Sequence, residues 1–288
     1  WHKNMKAETG FLFEIRDGKN PLRGSYIAIP KEKVDLIRGR DVDYCCSLMK
    51  ALVADYEAVD AEKGIYYMIL EGHKFYMNFF DEQQALREID IDYMLHGEYE
   101  PYTTKLINDV VKEGNICLDV GASVGYMTLL MARKVGKTGK VYSFEPTINQ
   151  YNERLLRNIE ANGYKDVVCA YNLGAWDEAL TDAKLQTNKG LIDPMVTVRL
   201  DDIIPEWLPI DFVKIDTDGS EPHVLKGMEE IVQRSPNLKM VIEYYPKYIE
   251  NLGGNPQDVL DFLNKYFTYE EIKGDYGDGY WNYYCKRK

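Results

Sequence analysis

The run Ile116-Cys117-Leu118-Asp119-Val120-Gly121-Ala122-Ser123-Val124-Gly125-Tyr126-Met127-Thr128-Leu129-Leu130 constrains the fold more than any other segment. An apolar strand-like stretch delivers Asp119 to its carboxyl end, a glycine turn follows, and apolar residues at helical spacing begin at once. Gly121 and Gly125 let the backbone approach a ligand without interference from Cβ, and the helix N-terminus offers free N–H groups. Such a turn suits an anionic, adenosine-bearing cofactor. Its spacing is Gly-x-x-x-Gly, not the Gly-x-Gly-x-x-Gly of dinucleotide enzymes. Glycine turns of this kind also occur in α/β proteins that hold no ligand there.

From Lys112 onward strand-like and helix-like segments alternate, the pattern of a parallel sheet covered by helices. Strands are expected at 115–120, 140–144, 167–171, 211–215 and 239–244. Helices are expected at 126–135, 148–161 and 256–267, and one more opens at Glu221-Pro222, where Val224, Leu225, Met228, Ile231 and Val232 share a face. The tail reads as a hairpin, 267–272 and 280–285, joined by Gly274-Asp275-Tyr276-Gly277-Asp278-Gly279. The expected fold class is therefore α/β: a mostly parallel, seven-stranded Rossmann-like sheet that ends in an antiparallel hairpin, the order of a class I methyltransferase domain, over 98–288. A dehydrogenase would continue with another βαβ half.

Residues 1–97 form a smaller α+β extension or cap. Tyr26–Ile29, Ile65–Leu70 and Lys74–Phe80 read as strands, the last two joined by Glu71-Gly72-His73, and Val42–Val59 reads as helical.

With 288 residues, 45% of them hydrophobic, the chain buries a substantial core, which excludes global disorder. Its 35 basic and 47 acidic residues give a net charge of −12 with no basic patch, which argues against a nucleic-acid substrate. The five cysteines show no Cys-x-x-Cys spacing, and Cys117 and Cys169 sit in apolar runs, so a reduced, cytoplasmic protein without zinc or disulfides is expected. No apolar run approaches the roughly 20 residues of a membrane span, and no signal peptide is visible at the N-terminus. The chain starts at Trp1, as a fragment of a longer protein would. Twenty-three tyrosines, clustered at 66–67, 244–245 and 276–284, suit a carbohydrate or aromatic substrate, though such tyrosines are more often half-buried strand residues.

Ligands of doubly wound sheets sit beyond the carboxyl ends of the strands, which here present Asp119, Glu145, Asn172, Asp216 and Glu243. Glu145 lies 20 residues after Gly125, where a carboxylate accepts both hydroxyls of a ribose, and Pro146 then turns the chain.

Gly97-x-Tyr99-Glu100-Pro101, Leu118-Asp119-Val120-Gly121-Ala122-x-x-Gly125-Tyr126, Phe144-Glu145-Pro146, Leu200-Asp201-Asp202, Phe212-Val213-Lys214-Ile215-Asp216-x-Asp218-Gly219-x-Glu221 and Val224-Leu225-Lys226-Gly227 follow one another in the order seen in the FkbM family. Over 97–245 the chain resembles these S-adenosylmethionine-dependent methyltransferases. The resemblance implies O-methylation of small or glycan-type hydroxyls. It also implies that Asp119, Gly121, Ala122, Ser123, Gly125 and Tyr126 line the methionine and sulfonium side of the cofactor. Glu145 with Pro146 would hold the ribose, the stretch from Asn172 through Gly174 to Ala175 would flank the adenine, and Tyr99, Glu100 and Thr103 would close over the amino-acid end. Ser123 stands where the family has asparagine, and Asp218 where it has glutamate.

Methyl transfer to a hydroxyl needs an aligned acceptor and a base. Asp216, Asp218, Glu221 and His223 cluster after the fourth strand, with Asp216 expected on cofactor or substrate and one of the other three as base. A histidine suits that task by its ordinary pKa, whereas a carboxylate needs burial or a like-charged neighbour. Asp216 and Glu243 are also the candidates for a divalent metal, magnesium or manganese, although none is expected. The stretch Asp216-Thr217-Asp218-Gly219 disfavours the amino-methylating type with Asn/Asp-Pro-Pro-Tyr. A peptide or other natural-product acceptor, and a non-catalytic S-adenosylmethionine-binding module, are the alternatives. The expected partner is a small-molecule or glycan acceptor.

Overall fold

The computed structural model describes residues 9–14, 26–30, 55–60, 65–78, 99–186, 192–275 and 279–288. The chain divides into two compact units, Trp1–Tyr99 and Glu100–Lys288.

In the first unit, β1 (Thr9–Glu14) and β2 (Tyr26–Pro30) form an antiparallel pair. β3 (Asp55–Asp60), β4 (Ile65–Leu70) and β5 (His73–Asn78) form an antiparallel meander. Glu71 and Gly72, both at positive φ (49° and 76°), make the two-residue turn between β4 and β5, so His73 begins the strand. Left-handed backbone at both turn positions matches the twist of the flanking strands. The helix expected over Val42–Val59 is corrected where the structure describes it: Asp55-Tyr56-Glu57-Ala58-Val59-Asp60 is a strand, in keeping with its period-two alternation. Residues 42–54 and 79–80 lie outside the described residues.

The second unit is built on a seven-stranded sheet in the order β15-β16-β14-β13-β6-β7-β8. Its strands are β6 (Ile116–Val120), β7 (Lys140–Phe144), β8 (Val168–Tyr171), β13 (Phe212–Ile215), β14 (Lys239–Tyr244), β15 (Phe267–Ile272) and β16 (Trp281–Arg287). The first five run parallel, and β16 pairs antiparallel with both β14 and β15. β6, β13 and β14 are buried almost throughout, as central parallel strands covered on both faces should be. Chain order reverses between β6 and β13, so the crevice at their carboxyl ends is the switch point where ligands of such sheets sit.

Helix α1 (Pro101–Val110) precedes β6, and α2 (Tyr126–Val135) follows it. The helix expected over 148–161 is interrupted: α3 (Ile148–Gln150) passes through a π-helical turn at Tyr151–Leu155 into α4 (Leu156–Ala161). Between β8 and β13 lie a short parallel pair, β9 (Gly174–Ala175) with β12 (Thr197–Val198), a hairpin of β10 (Ala183–Gln186) and β11 (Ile192–Met195), and α5 (Leu200–Ile203).

The helix opening at Glu221 is two helices, α6 (Glu221–Lys226) and α7 (Glu229–Arg234). Gly227 separates them because its backbone lies against Trp176: a Cβ there would fall 2.0 Å from the Trp176 carbonyl oxygen. α7 has no cap of its own; Asp201 supplies one from α5, accepting from the N–H groups of Ile231 (2.8 Å) and Glu230 (3.2 Å). α8 (Pro246–Asn251) and α9 (Pro256–Tyr266) lead into the terminal hairpin, and the Asn255 side chain caps α9 at the Gln257 N–H.

Candidate active site

The turn after β6 alternates left-handed positions at Gly121, Ser123 and Gly125 (φ 85°, 50° and 91°). Packing demands the first of these as firmly as any ligand would, since a Cβ on Gly121 would lie 1.8 Å from the Asp216 carbonyl oxygen. The N–H groups of Gly121 and Ala122 are already spent on the Phe144 carbonyl. The N-terminus of α2, with no side-chain cap, therefore carries the donors left for a ligand.

Glu145, buried at the end of β7, binds this turn directly: one carboxylate oxygen accepts from Ser123 N–H and the other from Thr147 N–H, both at 2.8 Å. With one bond on each oxygen, Glu145 ties the exit of β7 to the glycine turn. Asn172 spends its amide on the carbonyls of Glu145 and Pro146 (2.8 and 2.9 Å) and so fixes the exit of β7. Gly174 and Ala175 are buried in the β9/β12 pair, where Gly174 packs against Met195 and Pro146.

Asp119 is buried beneath the turn and accepts from the Thr128 hydroxyl at 2.5 Å. Burial, reinforced by Asp216 and Glu145 and opposed by Thr128 and Lys214, pushes it up to about 7. Tyr126 is buried between α1 and α2, its hydroxyl 3.3 Å from that of Thr104.

The loop after β13 carries Asp216, Asp218 and Glu221. One oxygen of the buried Glu221 accepts from Thr217 N–H, Thr217 hydroxyl and Gly219 N–H (3.1, 2.9 and 3.2 Å), which shapes the loop. Its other oxygen has no hydrogen-bond partner, and burial raises its pKa. Asp218 takes a left-handed conformation (φ 53°), which aspartate tolerates better than most residues. Its side chain is open to the crevice yet crowded by protein, and this desolvation, with Asp216, Glu221 and Glu145 nearby, pushes it up to about 7.

His223, in the first turn of α6, has two partners. Its Nδ1 lies 2.9 Å from Asp177, and its ring stacks on Trp176 at 3.8 Å between centroids. Burial would raise the Asp177 carboxyl, but Lys226 and His223 outweigh it and hold it low.

Lys214, which sequence reading placed only within a motif, is central. Its ammonium is 1% exposed, 3.2 Å from Asp216 and 3.7 Å from Glu100. Burial works against its charge, but Asp216, Glu100 and Glu243 more than offset that and hold it protonated. A cation on a fully buried strand must find carboxylates, and that was the available signal. Glu243, its neighbour on β14, accepts from the Tyr280 hydroxyl. Among the described residues no group of three or more His, Cys, Asp or Glu side chains is arranged to hold a metal ion.

Glu100 and Thr103 open α1. Asn282 of β16 donates to Glu100 (3.0 Å) and Thr103 (3.1 Å), and Asp275 accepts from Tyr102 N–H, Thr103 N–H and the Thr103 hydroxyl. Asp275 and Asn282 carry no sequence signal for this role, because it arises only when the terminal hairpin meets α1. Tyr99 is the last residue of the first unit.

Together, a Rossmann-like sheet with a 6-7-5-4-1-2-3 strand order, a glycine turn latched by an acidic residue that follows the second parallel strand, and carboxyls at the switch point define a class I S-adenosylmethionine-dependent methyltransferase domain. The family model for the methyltransferase FkbM domain matches residues 119–270, more than half of the chain, and the protein belongs to that family.

The protein-L-isoaspartate O-methyltransferase of Methanosarcina mazei is 26% identical over 136 residues, 46% of this chain and 55% of that protein. The chain thus spans about half the length of this curated relative. Among solved structures, the O-methyltransferase from Bacillus cereus, in complex with SAH, gives a TM-score of 0.45 at 18% identity over 66% of this chain and 83% of that one. The methyltransferase FkbM from Methylobacillus flagellatus gives 0.44 at 18% identity over 68% and 52%. Among the described residues no helix is long and apolar enough to cross a membrane.

Proposed function

We propose that this chain methylates a hydroxyl of a sugar, glycan or related polar small molecule, using S-adenosylmethionine as donor. The observation that carries this reading is the buried Glu145 latched to the Ser123 N–H of the glycine turn, with Asp216 and Asp218 on the loop that follows the neighbouring parallel strand. Bound there, the cofactor supplies an electrophilic methyl group on a sulfonium. Glu145 holds the ribose, with Pro146, Asn172, Gly174 and Ala175 shaping the adenine side. Asp119, Gly121, Ala122, Ser123, Gly125 and Tyr126 form the floor at the methionine side, and Glu100 and Thr103 its far end.

Asp216 accepts from a neighbouring hydroxyl of the acceptor and so orients the reacting one. As the O–C bond forms and the C–S bond breaks, Asp218 takes the hydroxyl proton. Its pKa of about 7 matches that task near neutral pH. Glu221 fixes the loop that carries Asp218. The free thiols of Cys117, Cys169 and Cys285 fit a reducing, cytoplasmic setting.

The name of the Methanosarcina mazei relative favours one second reading, a peptide carboxyl or hydroxyl as acceptor. Calorimetry with S-adenosylmethionine and NAD tests the cofactor: binding of NAD alone overturns the reading. Mass measurement of products from a panel of neutral glycans and of peptides then separates the two acceptors, and product from peptides alone favours the second.

A further inference from the structure

The tyrosines clustered towards the end of the chain divide by environment. Tyr244, Tyr269 and Tyr283 pack on the apolar core. Tyr245, Tyr248 and Tyr280 pack on one another, with Tyr245 in the middle: its ring centroid lies 4.2 Å from that of Tyr248 and 5.0 Å from that of Tyr280, each pair tilted by 50°. All three are half-buried. A tyrosine held in this way presents an apolar ring and a polar tip to whatever docks beside it.

The carboxyl ends of the central strands set where this cluster stands. Tyr245 directly follows β14, and Tyr248 belongs to α8, which Pro246 opens. The Tyr280 hydroxyl donates to Glu243, the penultimate residue of β14. On the neighbouring parallel strand Ile215 pairs with Ile242, so Asp216 leaves β13 level with Glu243. The loop that Asp216 begins is pressed against α8: a Cβ on Gly219 would lie 2.6 Å from the carbonyl carbon and oxygen of Tyr248. The aromatic cluster therefore borders the loop that carries Asp216 and Asp218.

Ring geometry selects among ligands. A cage for a cation needs rings on opposite sides of the charge, each within about 6 Å of it. Rings 4.2 and 5.0 Å apart touch each other and leave no such space. They make a continuous, uneven platform, which suits the C–H face of a puckered sugar ring better than a flat aromatic one. Carboxylates beside it complete the match, because they accept hydroxyls, and Asp216 keeps 27% of its side chain exposed. We propose that Tyr245, Tyr248 and Tyr280 form a platform that binds a neutral sugar ring through its C–H face, with the hydroxyls of that sugar turned to Asp216 and Asp218. This deepens the methyl-transfer reading by locating its acceptor, and it rests on that reading only for the statement that the bound sugar is the acceptor.

Saturation-transfer NMR on the ligand-free protein tests the platform, with the methyl glycosides of glucose, galactose, mannose and rhamnose as probes and choline and phenol as cationic and flat controls. At least one glycoside should bind, with saturation strongest on the protons of one ring face. Tyr245→Ala should raise its Kd about 3- to 10-fold, whereas Tyr245→Phe, which keeps the ring, should stay within about twofold. Tyr248→Ala serves if melting curves show that Tyr245→Ala fails to fold. S-adenosylhomocysteine affinity, read by calorimetry, should be the same in every variant. Absence of glycoside binding, a Kd unchanged in the alanine variant, equal losses in Tyr245→Ala and Tyr245→Phe, or preference for choline or phenol overturns the proposal. Failure of the wild type to bind S-adenosylhomocysteine overturns the methyl-transfer reading instead, and the platform still stands or falls on the glycosides.

Discussion

Glu145→Gln is the substitution whose effect the structure specifies most fully. Glutamine keeps the size and shape of the side chain but offers one acceptor oxygen and one donor amide. Glu145 accepts from Ser123 N–H and Thr147 N–H, one on each oxygen, at 2.8 Å. The new amide must therefore confront one of these N–H groups, leaving a buried donor unpaired at a cost of about 1–3 kcal/mol. The oxygen that remains is neutral, so a ribose hydroxyl loses one charge-assisted bond and weakens in the other, about 2–4 kcal/mol together. That predicts a Kd for S-adenosylhomocysteine raised about 30- to 1000-fold. Titration calorimetry reads it directly, with S-adenosylhomocysteine chosen because it does not turn over, and Asp218→Asn as a variant that should bind it normally. Affinity of Glu145→Gln within about threefold of wild type, with an unchanged melting point, would refute the assignment of Glu145 to both turn and ribose.

Asp201→Ala should cost about 2 kcal/mol in urea denaturation, because it removes both side-chain bonds that cap α7, whereas Asp201→Asn should recover part of this through its remaining oxygen. Asp119 gives a pH dependence of definite sign. Its folded pKa of about 7 exceeds the unfolded value near 4, so the stability it contributes is complete at acid pH and is lost as pH rises through about 7. Between pH 5 and 8 the wild type should lose about 3 kcal/mol relative to Asp119→Asn, measured by urea denaturation at the two pH values. His223→Ala should lower stability by about 1–2 kcal/mol through loss of the Asp177 bond and the Trp176 stack, with little change in S-adenosylhomocysteine affinity by calorimetry.

The parallel strands and the helix after the first were legible because burial on both faces writes itself as continuous apolar runs at 116–120, 212–215 and 239–244. Glu145 was legible for a related reason, since its distance from the turn is set by one helix and one strand of ordinary length. What stayed hidden depends on contacts far apart in sequence. The break at Gly227 follows from Trp176, some fifty residues earlier, and a continuous apolar face gives no hint of it. The strand at Asp55–Asp60 reads as helix if its small and apolar residues are counted and as strand if they are taken alternately, and pairing with β4 decides between them. The partners of His223, Asp177 and Trp176, belong to a segment that carried no strand signal of its own, so its surroundings stayed hidden.

The carboxyl groups explain why a site of this kind accumulates acid beyond what proton transfer needs. Asp119 and Asp218 are pushed up to about 7 and Glu243 is raised too, all chiefly by burial, while Lys214 is a cation within the cluster. Part of that acidity is structural: Glu221 shapes a loop, and Glu145 latches the glycine turn. The remainder is held at a cost that an incoming positive charge would relieve, because a cation favours the ionised form of each nearby carboxyl. A sulfonium is such a charge, and it disappears when the methyl group leaves. An acidic crevice therefore favours the donor over its spent product in a way that a neutral one of identical shape would not. The glycine turn, whose first glycine is demanded by the Asp216 backbone in any case, positions the cofactor without making that distinction.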